Sequence, residues 1–370
     1  MSESPVETIE VLLVVDDDVL SRLESVIRHL CVGLLDEPVR LTILSSATSR
    51  APESIGQSRV VTLPRTIWPW KRWSAAQLVK QFSIEPPQIV HCFSSALVDL
   101  VREWCVEWNS ALVVHFTDLV DVQNITGAAL LPDTYAIATT PSIERALIAA
   151  RSELRDQTRV VPVGLPAKKG PSCLETPDRI PAVLVTVPLT RDCGLDLVLR
   201  SLQHIVRSGQ EVQLFILSNG PAERYFRRMV EQLGLLSFVT FAAQVRDWNA
   251  MEDAMLGADF YILPAPRRRF TASRLTAMAC GLAILAPRGT TEDYLIDGVT
   301  ASLFDPDQPQ ELTERWLALL EDREAARQLA YSALDYVRTY HQASTMATAT
   351  AWYYREIVTA RTAETASPGA

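Results

Sequence analysis

"DFYILPAPRRRFTASRLTAMACGLAILA" (259–286) reads as strand, loop, helix and strand. "DFYILP" (259–264) and "LAILA" (282–286) are short, continuous apolar runs, the pattern of strands buried on both faces of a sheet. Between them a helix is expected to begin near Thr271, after a loop with three consecutive arginines, Arg267, Arg268 and Arg269. A strand–helix–strand unit of this kind implies a right-handed crossover between parallel strands, with helices covering the sheet.

The same rhythm extends in both directions. The first half holds "VLLVV" (11–15), "LTIL" (41–44), "QIVHCF" (88–93), "ALVVHF" (111–116), "YAIATT" (135–140) and "RVVPV" (159–163). The second half adds "AVLVTV" (182–187), "VQLFIL" (212–217), "VTFAA" (239–243) and "ASLF" (301–304). Amphipathic stretches lie between them: "LSRLESVIRHL" (20–30) sets Leu20, Leu23, Ile27 and Leu30 on one helical face. The expected fold is α/β, with two Rossmann-like domains facing a cleft. Their spans are 1–165 and 182–343, joined by a Pro- and Gly-rich linker at 166–181. A helix at 344–360 is expected to cross back to the first domain, ahead of a disordered tail at 361–370. Open α/β sheets bind ligands at the carboxyl ends of their strands, so a ligand-binding cleft is anticipated.

Composition narrows the function classes. The chain has 370 residues, enough for two cores, and a net charge of −9 with no long basic run. A dedicated nucleic-acid binder, which needs a cationic face, is therefore not expected. The opening "MSESPVETIE" has neither the basic nor the apolar region of a signal peptide, and no apolar run reaches membrane-spanning length. Six scattered cysteines without a C-x-x-C pair read as buried thiols of a reduced, cytoplasmic protein. The five histidines are dispersed too, so no metal site is expected.

Several segments of the second half match one family in order: "GLDLVLRSL" (194–202), "LSNGP" (217–221), "VTFAAQV" (239–245), "MLGADFYILPA" (255–265), "LTAMACGLAILA" (275–286) and "EDYLIDGVTASLFDPDQPQEL" (292–312). Together they resemble the nucleotide-sugar-binding domain of the family-4 retaining glycosyltransferases, the glycosyl transferases group 1. The resemblance covers about 182–340 and implies a GT-B architecture, a nucleotide-sugar donor and no obligatory metal. The first half resembles the family's acceptor domain only loosely, through "LVKQFSIEPPQIVHCFSS" (78–95) and "RVVPVGLP" (159–166). The family's glycine-rich turn after the first strand is missing. "DDDV" (16–19) stands there, with Asp17 or Asp18 expected to cap the following helix.

The resemblance also says where chemistry should sit. A retaining transfer must stabilise the charge growing on the leaving diphosphate. The family does so with an Arg, a Lys and the amides around the Gly-led helix, which favour anions. Here the Arg position is Pro188, the Lys position is Cys193, and the helix is led by Gly194. The family also uses two glutamates eight positions apart, one on the donor sugar and one on the ribose. These positions hold Arg268 and Thr276. Arginine has no acceptor, and threonine cannot grip a diol as a carboxylate does.

Two function readings stay open. In the first, the chain is a glycosyltransferase in which Arg191 and the run Arg267, Arg268 and Arg269 replace the missing phosphate ligands, the alternatives being a solvated loop for the arginines and a packed helix residue for Thr276. Gly194, Gly220, Val245, Thr271 and Thr276 then complete the donor site. His115, in an apolar strand, is the weak catalytic candidate, with a core histidine as the alternative. In the second, the chain is a catalytically silent relative acting as a binding or partner subunit. "RTIWPWKRW" (65–73) interleaves Trp68, Trp70 and Trp73 with Arg65, Lys71 and Arg72. It is read either as a peripheral membrane contact or as a loop packed on the domain. Glu292 matches an acidic family position and is expected to cap or pair locally.

Overall fold

The computed structural model describes residues 8–45, 54–55, 58–62, 75–82, 84–128, 130–168, 174–176, 179–242, 248–265, 269–289 and 292–366. The chain forms two compact units. Unit 1 is Met1–Gly164 with Arg268–Phe270 and His341–Ala370; unit 2 is Leu165–Arg267 with Thr271–Tyr340.

Unit 1 runs β1 (Ile9–Val15), α1 (Asp17–Gly33), β2 (Val39–Ser45), β3 (Ser54–Ile55), β4 (Ser58–Thr62), α2 (Ala75–Phe82), β5 (Ile89–Cys92), α3 (Val98–Trp108), β6 (Ala111–Phe116), α4 (Leu119–Ile125), β7 (Thr134–Ala138), α5 (Pro141–Ala150) and β8 (Thr158–Val160). Its described sheet has the order β3-β4-β2-β1-β5-β6-β7-β8 and is parallel except for the antiparallel β3–β4 pair. Every residue of β5 and β6 is buried, as their unbroken apolar character requires. The short β3 and β4 carry no long apolar run, and they are the strands that periodicity missed.

Unit 2 repeats the plan with β9 (Ala182–Val185), α6 (Leu195–Arg207), β10 (Gln213–Leu217), α7 (Glu223–Gln232), β11 (Val239–Ala242), α8 (Trp248–Leu256), β12 (Phe260–Ile262), α9 (Ala272–Ala279), β13 (Ala283–Pro287), β14 (Ser302–Phe304), α10 (Pro309–Glu321) and α11 (Arg323–Tyr340). All its described strands are parallel, in the order β11-β10-β9-β12-β13-β14. The strand order reverses beside β9, whose neighbours are β10 and β12, which is where a doubly wound sheet opens a ligand crevice. The stretch 166–181, anticipated as a linker, is tied to unit 2 in its described part. The Lys168 amide donates to Ala279 O at 3.0 Å and the Leu174 amide to Asp259 Oδ1 at 2.7 Å.

The last helix, α12 (Ala343–Ala366), belongs to unit 1. Its approach to α1 depends on a missing side chain: a Cβ on Gly33 would lie 2.5 Å from Ala347 Cβ. Ala351, Tyr354 and Ile357 are buried along it. The helix runs to Ala366, so the disorder anticipated from residue 361 is corrected. Arg361 holds this end down, pairing with Asp133 and donating to Asn109 O at 2.9 Å.

The cap of α1 also differs from expectation. Asp16, rather than Asp17 or Asp18, accepts the Val19 amide at 2.8 Å. Asp16 has extended backbone angles (φ −114°, ψ 178°), as an N-cap must, whereas Asp17 and Asp18 already lie in the helix.

Candidate functional site

Three loops of unit 2 meet at the carboxyl ends of β9, β10 and β12, and glycines set how closely. Leu189, after β9, donates its amide to Asn219 O at 3.0 Å and accepts the Ala222 amide at 2.9 Å. A Cβ on Gly220 would fall 2.4 Å from Leu189 O, so this approach admits glycine alone. Gly194 leads α6 with φ +78°, and a Cβ there would lie 2.9 Å from Pro264 O, in the loop after β12. Among the described residues no side chain caps α6 or α9. Their first amides therefore remain free of side-chain caps, an arrangement that suits an anion.

The side chains around this backbone frame are mostly neutral. Thr186 Oγ1 is 2.6 Å from Tyr261 Oη, which is 3.2 Å from Ser273 Oγ. Thr271 Oγ1 is 3.1 Å from the same serine hydroxyl. This line of hydroxyls escaped the sequence reading. Its one sequence signal is Tyr261, a residue with a polar tip inside an apolar strand. Pro188 is exposed and Cys193 is buried. Arg191 is exposed too, with its guanidinium 4.7 Å from the centre of the Tyr225 ring. Of the candidate cations in the described part of these loops, it alone stays with unit 2.

Two other candidates are committed elsewhere. Thr276 is 2% exposed, and its hydroxyl donates to Ala272 O one turn back at 2.9 Å. Here it is a packed helix residue. Glu292 forms a buried ion pair with Arg274 inside unit 2, the local pairing anticipated for it. Val245, Arg267 and Arg268 lie outside the described residues, as do Trp68, Trp70 and Trp73.

Arg269 groups with unit 1, where its described partners are carboxylates. Its guanidinium donates to Asp121 Oδ1 at 3.0 Å and Asp18 Oδ2 at 2.5 Å, and lies 3.6 Å from Asp118 Oδ1. Arg22 joins the same group, donating to Asp18 at 3.1 Å and to Phe270 O at 2.8 Å. The aspartates are themselves anchored. Asp118 caps α4 through the amides of Val120 and Asp121, and Asp121 accepts from Thr117 and Ser95. Burial and the neighbouring Asp121 carboxylate push the Asp118 carboxyl above its usual range. At Asp18 burial acts the same way, but the hydrogen bond from Arg269 and the charges of Arg22 and Arg269 prevail and lower it. Three carboxylates around one guanidinium leave no incentive for that cation to bind an external anion.

His115 lies in the core of unit 1, stacked on Phe93 with ring centres 4.1 Å apart, and its Nδ1 is 3.1 Å from His91 Nε2. Burial lowers its pKa to about 3, so it is a neutral core histidine and not a group presented to substrate. Among the described residues no cluster of His, Cys, Asp or Glu is arranged to hold a metal ion, and no helix is long and apolar enough to cross a membrane.

Two predominantly parallel sheets with flanking helices in one chain are the GT-B fold. Residues 176–335, which fall almost wholly in unit 2, match the model of the family glycosyl transferases group 1. Solved structures share the fold over nearly the whole chain. Sucrose-phosphate synthase from Thermosynechococcus elongatus superposes with a TM-score of 0.75 at 18% identity, over 95% of this chain and 100% of that one. Anabaena HepE in complex with UDP and glucose gives 0.74 at 15% identity, over 94% and 100%. A glycosyltransferase from Rickettsia africae ESF-5 gives 0.73 at 14%, over 95% and 99%. No curated protein matches the sequence significantly.

Proposed function

We propose that this protein is a GT-B relative whose second unit binds a nucleoside diphosphate or its sugar through backbone amides and hydroxyls, without turning the sugar over. It then serves as a binding or partner subunit. The observation that carries this reading is the fate of Thr276 and Arg269. The one residue at a glutamate position that is described bonds its own helix, and a candidate replacement cation is neutralised by aspartates of unit 1. Pro188 and Cys193 supply no charge at the other two positions. Losing two preorganised donors to a developing anion removes about 6–8 kcal/mol of transition-state stabilisation. That corresponds to roughly 10⁴–10⁶ in rate. Binding survives better, because the glycine contacts at Gly194 and Gly220 and the uncapped helix starts need no charged side chain. HepE, of the same fold, is seen with UDP.

Calorimetry with UDP, GDP and ADP and their glucose conjugates tests the binding, and mass spectrometry of the incubated sugars tests the silence. One nucleotide should bind, and no free or transferred sugar should form. Release of sugar from any conjugate overturns the silent reading, and failure of all three nucleotides overturns the binding.

Arg191 favours a second reading, retaining transfer with a substituted phosphate ligand. It is exposed, lies two positions before Cys193 and four before α6, and rests on Tyr225 of α7. Under that reading sugar is transferred, and Arg191→Ala abolishes it.

A further inference from the structure

The surface of unit 1 carries an aromatic platform that the nucleotide reading does not use. Trp352, on α12, is 56% exposed although tryptophan is the largest apolar side chain. A groove of about 580 Å³ opens on one side of it, lined by Arg159, Thr345, Thr348 and Tyr353 among others. A second, of about 550 Å³, opens on the other side, towards Glu356. The indole thus stands as a ridge between two shallow grooves. Thr345 and Thr348, both exposed, place hydroxyls on the same face of the helix, seven and four positions before it.

The charges beside the indole cancel. Arg159 pairs with Glu356 at 2.5 Å and stacks over the Tyr353 ring at 5.3 Å. Arg355 pairs with Glu37 at 2.9 Å. An anionic lipid surface therefore meets no free cation here, and a charged peptide meets no net field. A neutral, hydroxylated ligand with one apolar face matches each feature: a flat ring to stack on, alcohols to hydrogen-bond, and a fixed ion pair that offers donors and acceptors together.

We infer that Trp352 and the grooves flanking it form a saccharide-binding subsite on unit 1, separate from the loops of unit 2. A pyranose ring stacks its C–H face on the indole. Its hydroxyls reach Thr345 and Thr348 on one side and the Arg159–Glu356 pair on the other. The subsite does not depend on whether unit 2 binds a nucleotide.

The test is a neutral glycan array probed with the full-length protein, followed by saturation-transfer NMR with the best oligosaccharide. A neutral oligosaccharide should bind, and Trp352→Ala should weaken it by about tenfold or more. Because the indole is largely exposed, the variant should keep the parent's thermal midpoint and its UDP response. Thr348→Val, which keeps the shape and removes the hydroxyl, should weaken binding by a smaller factor. Absence of any neutral glycan ligand overturns the subsite, as does binding that Trp352→Ala leaves intact. Trp352-dependent sedimentation with phosphatidylglycerol vesicles, without glycan binding, assigns the platform to lipid instead.

Discussion

His91 Nδ1 lies 2.5 Å from the Tyr354 hydroxyl, joining β5 to the last helix across 263 positions of chain. His91 is also 3.1 Å from His115, and both imidazoles are buried without an acidic partner among their described contacts. Burial holds both pKa values down, well below 6.5 for His91 and to about 3 for His115. A lowered histidine pKa means the folded state disfavours the proton. The neutral pair therefore supports stability fully above the unfolded pKa of about 6.5 and loses that support as pH falls below it. Each histidine adds a slope of up to about 1.4 kcal/mol per pH unit on the acid side. Urea unfolding from pH 8 to pH 5 should show that fall, and His115→Phe should flatten it by about one proton. An identical acid limb in the variant refutes the assignment.

Arg269→Ala should destabilise unit 1 by about 1–3 kcal/mol, because it strips the hydrogen bond from buried Asp121 and crowds like charges at Asp18 and Asp118. Adding Asp121→Asn should recover part of the loss. Nucleotide affinity measured by calorimetry should not change, since Arg269 is committed to carboxylates. A marked drop in affinity would restore it as a phosphate ligand.

Gly220→Ala and Gly194→Ala test the loop frame of unit 2. The new methyl at 220 meets Leu189 O at 2.4 Å, and the one at 194 meets Pro264 O at 2.9 Å in a left-handed backbone. The facing atoms are backbone and give little. Each variant should lower stability by about 1–3 kcal/mol in chemical denaturation. Each should also weaken nucleotide binding, whereas Gly209→Ala, with nothing within 4 Å of its Cβ, should leave binding unchanged.

The Arg274–Glu292 pair is buried on both sides. Removing one partner strands the other charge, so Arg274→Met should cost about 3–5 kcal/mol. The double variant Arg274→Met, Glu292→Gln should regain most of that. Denaturant midpoints of the two single variants and the double variant form the cycle that checks it.

Thr276→Ala should leave nucleotide affinity within about twofold, because its hydroxyl faces Ala272 O and not the loop ends. A larger loss by calorimetry would show that the hydroxyl turns outward to a ligand.

Continuous apolar runs such as "ALVVHF" (111–116) and "LAILA" (282–286) announced buried parallel strands, and the spaced segments after residue 182 carried the family resemblance. Both signals are local: a strand's burial on two faces is written within five or six residues, and a loop glycine is visible where it stands. That Pro188, Cys193 and Thr276 carry no charge was equally plain from residue identity. What those residues do was not. Asp121 meets Arg269 across 148 positions, and His91 meets Tyr354 across 263. Strand order and the return of α12 choose such partners, and no periodicity encodes either. So by its loop Arg269 could be read as a phosphate ligand or a solvated cation, and His115 as a catalytic candidate or a core residue. Tertiary structure made the first a counter-ion to aspartates and the second a neutral core residue, because a side chain's charge and reach act only on what the fold places beside it.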